Sequence, residues 1–271
     1  MSKIAKCIVF ANQKGGTGKT TSCISVAGFL AKAGNTVLVV DFDPHANATS
    51  GLGIDSASLK CSTYDAILNK CDGYKGIPLT QVIIGTDIEN LHLAPSEPDL
   101  IAAEVIMQDE HDKTSILNRM LEVMRSMYDY ILIDLPPTSG LLTINGLCAS
   151  DQVVIVLDPS IYSLEAFENL KTLFNTIMEM TGHHIDRITV VLNKYVKQDD
   201  VFKILFGRRT PSEEIEAELR KTCKEVFTIP ESTKIFESQK AGVPISHYAP
   251  SDKAGRAYER LAKHVMVKGE R

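Results

Sequence analysis

An apolar run at residues 7–11, Cys-Ile-Val-Phe-Ala, leads almost directly into Gln13-Lys14-Gly15-Gly16-Thr17-Gly18-Lys19-Thr20-Thr21, and an amphipathic stretch follows to about residue 33. A strand, a short glycine-rich turn and a helix in that order leave few folds open, because the turn sends the helix back across the face of the strand's own sheet. Further apolar runs, VLVV, YILI, VVIVL and ITVVL, alternate with helical patterns to the end of the chain. Such alternation marks parallel strands joined by crossover helices and buried on both faces. The expected fold is therefore α/β, a doubly wound, mostly parallel sheet flanked by helices on both faces.

Strands are expected near 5–11, 36–41, 129–134, 152–158, 186–193 and 225–229, with a weaker pair near 80–84 and 90–94. Residues 19–33 read as a helix closed by Gly34, since glycine enters the left-handed conformation of a helix end without steric cost. Ile116, Leu117, Met120, Leu121 and Met124 recur at helical spacing over 115–127. Tyr258, Leu261, Ala262, Val265 and Met266 share one stripe of a last helix over about 252–267. No repeat or flexible linker interrupts the pattern, so residues 1–271 are expected to form a single domain.

Composition narrows the chemistry. The chain is 44% hydrophobic and 23% charged, the balance of a globular protein. Its apolar runs fall far short of the roughly 18 residues of a membrane span, and the N-terminus enters the first strand without a signal-peptide pattern, so a cytoplasmic location is expected. Cys7, Cys23, Cys61, Cys71, Cys148 and Cys223 form no C-x-x-C pair and read as buried or half-buried small residues. The histidines show no H-E-x-x-H spacing, and His183-His184 sits in a polar turn. No metal site built from protein ligands alone is expected. A net charge of −5 limits any nucleic-acid contact to a local patch.

The glycine-rich phosphate-binding pattern is met by Gly15 or Gly16 feeding Gly18-Lys19-Thr20, after a strand and at a helix start, the context that pattern needs. Backbone N–H groups of such a loop turn toward phosphate oxygens, the helix adds its positive end, Lys19 neutralises β/γ charge and the Thr20 hydroxyl ligates magnesium. Two apolar runs end in acids: YILID at Asp134, the pattern of a carboxylate reaching a magnesium shell, and VLVVDFD at Asp41 and Asp43. Lys14 is one lysine more than the loop requires.

KGGTGKTT, VVDFDPHANATSGLG, YDYILIDLPPTSGLLTINGL and DQVVIVLDPS, in this order over nearly the whole chain, resemble the ParA/Soj partition ATPases, P-loop relatives of MinD with a deviant Walker A motif. The resemblance implies that Lys14 reaches across an ATP-dependent sandwich homodimer to the phosphates held by the other subunit, as an arginine finger does. It further implies that Lys14, Gly15, Gly16, Thr17, Gly18, Lys19, Thr20 and Thr21 hold ATP, and that Asp43 positions or activates the attacking water. Thr20 and, through water, Asp134 would serve magnesium. Asn193 would lie beside the adenine with Pro230 and Glu231 on its other side, while Pro44–Gly53 and Leu135-Pro136-Pro137 correspond to the two γ-phosphate-sensing switches. His45-Ala46 departs from the family's usual Gln-Gly, and Leu135 from its frequent Cys. Asn193-Lys194 begins like the guanine-reading N-K-x-D motif, but Val196 replaces the carboxylate that would read guanine, which favours ATP.

A late basic cluster contains Lys197, Lys203, Arg208, Arg209, Arg220, Lys221 and Lys224, interleaved with acids. On pattern alone it is a solvated face. The resemblance of Gly207-Arg208-Arg209-Thr210 to a DNA-binding stretch implies non-specific DNA contact by Arg209, with Arg208, Lys203 and Arg220 beside it, and hence a nucleoid-associated protein. It also implies a ParB-type partner that stimulates slow hydrolysis, so that plasmid or chromosomal DNA is segregated. The alternatives are a MinD-like or cargo-positioning ATPase, with Arg256, Arg260, Lys263 and Lys268 on a membrane-facing last helix, and a nucleotide-gated switch with vestigial hydrolysis. Membrane binding, though not cargo positioning, is disfavoured by the absence of Phe, Trp and a second Leu from that stripe. Cluster-carrying relatives are set aside because residues 135–147 lack cysteine, and tyrosine-kinase relatives because the C-terminus lacks a tyrosine cluster.

Overall fold

The computed structural model describes residues 4–197 and 210–266. The first half of the chain runs β1 (Lys6–Ala11), α1 (Lys19–Lys32), β2 (Val37–Asp41), α2 (Asn47–Gly51), α3 (Thr63–Leu68), α4 (Leu79–Val82), β3 (Ile84–Gly85), β4 (Leu91–Ala94), α5 (Leu100–Met107) and α6 (Ile116–Leu121). There follow β5 (Tyr130–Asp134), α7 (Leu141–Cys148), β6 (Gln152–Leu157), α8 (Ser163–Thr181), β7 (Arg187–Tyr195), α9 (Pro211–Thr222), β8 (Val226–Pro230), α10 (Thr233–Ala241), α11 (Ile245–Tyr248) and α12 (Lys253–Met266).

The strands form one eight-stranded sheet in the order β3-β4-β2-β5-β1-β6-β7-β8, parallel throughout except for the edge pair β3–β4. Alternation along each strand divides the interior in two. Cys7, Val9 and Ala11 of β1 join Leu38, Val40, Ile131 and Ile133 in a core covered by α3 to α9. Ile8 and Phe10 join Val37, Val39 and Leu132 in a second core under α1, α11 and α12. Both faces of the central strands are therefore apolar, and the strands read as continuous apolar runs. β1 lies where the winding reverses, with β5 on one side and β6 on the other. Ligands of open α/β sheets bind beyond the carboxyl ends of strands at such a point.

Two expected elements differ. Residues 79–82 are a helical turn, and only Ile84–Gly85 pair as a strand, because Leu79 and Val82 are buried three residues apart while Thr80 and Gln81 face solvent. The helix expected over 115–127 stops at Leu121; a 3-10 turn at Met124–Ser126 follows, in which Met127 N and Tyr128 N both donate to Met124 O and bring the chain round into β5. Gly34 has φ +86°, as the end of α1 requires. The stripe of α12 is buried: Tyr258, Leu261 and Val265 have no exposed surface, and Tyr258 meets Ser22 of α1 through its hydroxyl at 3.2 Å. Among the described residues no helix is long and apolar enough to cross a membrane.

Candidate functional site

A cavity of about 720 Å³ opens at the carboxyl end of the sheet, between the loop after β1 and the segments after β2, β7 and β8. Gly15, Gly16, Gly18, Lys19, Thr20 and Thr21 form one wall. Gly16 and Gly18 have φ of +74° and +97°, and a Cβ on Gly18 would collide with the Asn193 amide, so both conformation and space demand glycine there. None of the N–H groups of Gly15, Gly16, Thr17 and Gly18 donates to a protein acceptor among the described residues. Lys19 is only 6% exposed, and its ammonium forms no hydrogen bond within the described residues. Burial pulls its pKa down, against the opposing attraction of Asp134 and Asp43.

β2 and β5 are neighbours in register with Asp41 opposite Asp134, both fully buried beside the cavity rather than in its lining. Asp134 accepts the Thr20 hydroxyl at 2.6 Å through Oδ2, while its buried Oδ1 has no hydrogen-bond partner among the described residues. Burial, reinforced by Asp41, pushes the Asp134 carboxyl well above its ordinary value. Asp41 does not line the cavity: its Oδ2 accepts both N–H and hydroxyl of Thr49 at 2.7 Å and so anchors α2 to the sheet. Asp43 does line it, 3% exposed, with Oδ1 accepting the His45 N–H at 3.0 Å and facing His45 Nδ1 at 2.8 Å. The Thr17 hydroxyl is likewise buried without a hydrogen-bond partner among the described residues.

Asn193, Lys194, Pro230, Glu231, Ile235, Phe236 and Gln239 form the far wall. Asn193, expected beside a base, turns its amide to Thr17 O at 2.8 Å. Gln239 donates to the Thr21 hydroxyl at 2.7 Å, and Phe236, 70% exposed, stands as an apolar edge to the opening. Lys194, Phe236 and Gln239 carry no motif of their own. Only the N-K pair was a visible signal, for Lys194. Lys14 points elsewhere, its ammonium 2.6 Å from Asp158 Oδ2 just past β6. Arg220 donates to Glu216 at 2.9 Å and to Val226 O at 2.9 Å; Lys203, Arg208 and Arg209 lie outside the described residues.

Residues 5–187 match the protein-family profile described as an AAA domain. The chain is 36% identical over 272 residues to the sporulation initiation inhibitor protein Soj of Bacillus subtilis, covering 98% of this chain and 100% of Soj. It is 34% identical over 269 residues to the chromosome-partitioning ATPase Soj of Treponema pallidum, covering 98% of each. The chain belongs to the ParA/Soj family of partition ATPases. Its fold is also that of cobyrinic acid a,c-diamide synthase from Mycobacterium smegmatis, solved with a bound ATP analogue and magnesium, with a TM-score of 0.78 at 23% identity over 97% of this chain and 95% of that one. Two departures from the ParA/Soj pattern have local accounts. Ala46 adopts φ +52°, a left-handed conformation suited to the family's glycine, and Leu135 is fully buried where its side chain fills the space beside Gly146.

Proposed function

We propose that residues 1–271 of this ParA/Soj chain work as one ATPase unit that binds ATP with magnesium, closes as a homodimer and, in that state, holds DNA without sequence preference. A ParB-type partner stimulates its slow hydrolysis and so releases it from the nucleoid, segregating plasmid or chromosomal DNA. The observation that carries this reading is the division of labour between two lysines of one loop: Lys19 is buried in the cavity wall, whereas Lys14 leaves that cavity and stays 42% exposed at its ammonium-bearing side chain. A cation turned out of its own site, and paired with Asp158 in the isolated subunit, supports a role toward a second copy.

The donor set fits magnesium and a triphosphate. The Thr20 hydroxyl donates its hydrogen bond to Asp134, which leaves the hydroxyl lone pairs for a cation, and Asp134 Oδ1, without a partner among the described residues, suits a water of the cation's shell. Bound magnesium would neutralise β/γ-phosphate charge. Lys19 adds the fixed charge of the same subunit and Lys14 that of the partner subunit, supplied as the transferred phosphoryl group becomes more negative. Asp43, held by His45, accepts a proton from the attacking water or aligns it. Pro230, Glu231 and Phe236 would flank the base.

Fluorescence anisotropy on random-sequence duplex DNA, with ATP and with ADP, tests the reading in wild type, Lys14→Ala and Arg209→Glu. ATP-dependent, salt-sensitive binding that both substitutions weaken is the expected result. ATP-induced dimers that ignore DNA at low salt would overturn the DNA part and favour a cargo-positioning ATPase.

A further inference from the structure

Two consecutive side chains at the end of β7 hold two consecutive carbonyls of the glycine-rich loop. Asn193 Nδ2 donates to Thr17 O and Lys194 Nζ to Gly16 O, each at 2.8 Å, across 176 and 178 residues of chain. The strand is bent for the purpose: its register with β8 shifts between Leu192 and Tyr195, and Lys194 takes φ +51°, in the left-handed region that disfavours residues with a Cβ. Strain of this kind persists where the surroundings over-determine it, and it gathers at functional sites.

We infer that Asn193 and Lys194 are a tether that orients the phosphate loop, with Lys194 a positioning residue for phosphate binding rather than a ligand of base or phosphate. In a planar trans peptide the C=O and N–H point opposite ways, and no cis peptide occurs among the described residues. Drawing the Gly16 and Thr17 carbonyls toward β7 therefore turns the Thr17 and Gly18 N–H groups away from it and leaves both for phosphate oxygens. Those donors are aligned before a ligand arrives, so binding does not have to order them. Gly18 and the Asn193 amide are packed so closely that no side chain fits between the loop and the strand end. The same Asn-Lys pair opens the guanine-reading motif, yet here its polar ends both face the loop, and Val196 supplies no carboxylate for a base.

This tether rests on the nucleotide-binding reading above, and one titration separates the two. A fluorescent ADP analogue with magnesium is titrated against wild type, Lys194→Asn and Lys194→Gly, then displaced with adenosine. Asparagine and glycine both suit the left-handed backbone, so each variant keeps the bend while losing the reach to Gly16. Affinity for the ADP analogue is expected to fall about tenfold in both variants, the scale of one charge-assisted hydrogen bond, while displacement by adenosine is unchanged and the melting temperature does not drop. Equal affinities in wild type and Lys194→Asn would overturn the tether and leave the nucleotide reading intact, as would a matching loss of adenosine affinity, which would place the lysine at the base. Failure of wild type to bind the analogue at all would overturn the nucleotide reading, and the tether with it.

Discussion

Lys14 and Asp158 form an ion pair of 2.6 Å although 144 residues separate them in the chain. Ser160 accepts a second bond from the same ammonium at 3.2 Å, and the Ser160 and Ser163 hydroxyls donate to the other carboxylate oxygen at 3.1 and 2.9 Å. Burial by itself raises the Asp158 carboxyl, but the bonds from Lys14 and Ser163 and the lysine's charge outweigh it and hold the carboxyl below its ordinary value. In the isolated subunit the lysine is thus occupied, and the proposed role across a dimer requires it to leave Asp158.

Lys14→Ala is expected to abolish ATP-dependent dimerisation and turnover while costing at most about 1 kcal/mol of stability at neutral pH, since the lysine side chain is 42% exposed. The sign follows from the lowered carboxyl: its contribution is present above the ordinary value and disappears as pH falls through the folded one. Urea unfolding should therefore show the wild-type advantage at pH 7 and a smaller one at pH 3. A deficit of several kcal/mol at pH 7 would make Lys14 a structural residue.

Asp41 and Asp134, side by side at the strand ends, should give the nucleotide-free protein an inverted pH response. Burial, partly offset by the Thr49 bonds, raises Asp41 from 3.8 to about 6. The native state then binds the proton more tightly than the unfolded chain, so stability falls as pH rises between those values; Asp134 adds a slope of the same sign. Melting temperatures across pH 4 to 7 are expected to decline in wild type and to flatten in Asp41→Asn. Asp134→Asn should melt higher than wild type and lose magnesium-dependent hydrolysis, and an unchanged slope in both variants would refute the assignment.

At Ala46, relief of the left-handed strain favours glycine by about 1–2 kcal/mol. A lost buried methyl, about 0.8 kcal/mol, and a freer unfolded chain, about 0.4–1 kcal/mol, oppose it. Ala46→Gly is therefore expected to leave thermal stability nearly unchanged, whereas Ala46→Val, branched at a positive φ, should cost more than about 2 kcal/mol. Denaturant midpoints decide between these; a strongly stabilised Ala46→Gly would mean that the strain outweighs the other two effects.

Arg220 joins α9 to the edge strand β8 through Val226 O, and its Glu216 partner lies one turn back on the same helix. Arg220→Ala should cost about 1 kcal/mol of stability, the scale of a lost hydrogen bond, and leave the salt dependence of DNA binding unaltered. A variant that melts like wild type but has a shallower salt slope would instead put a DNA phosphate on α9.

The strands were legible because burial on both faces writes itself into contiguous apolar residues, and the phosphate loop because all its glycines lie within a few positions of one another. Helical spacing over 115–127 was equally plain, yet the break after Leu121 was not, since only the position of β5 requires the chain to turn there. Asp41 shows the same divide: a strand-end acid beside Asp43 is visible in sequence, but its commitment to Thr49 rather than to the cavity depends on where α2 packs. Local pattern was thus enough for the parallel strands, their two buried faces and the loop with Lys14, Lys19 and Thr20, though not for the edge strand, where residues 79–82 turn into a helix. Tertiary structure alone decided that β7 ends against that loop, with Asn193 and Lys194 on its carbonyls and Lys14 on Asp158. Those pairings are set by strand order, which brings residues more than 140 positions apart within hydrogen-bond reach and leaves no periodic trace in the chain.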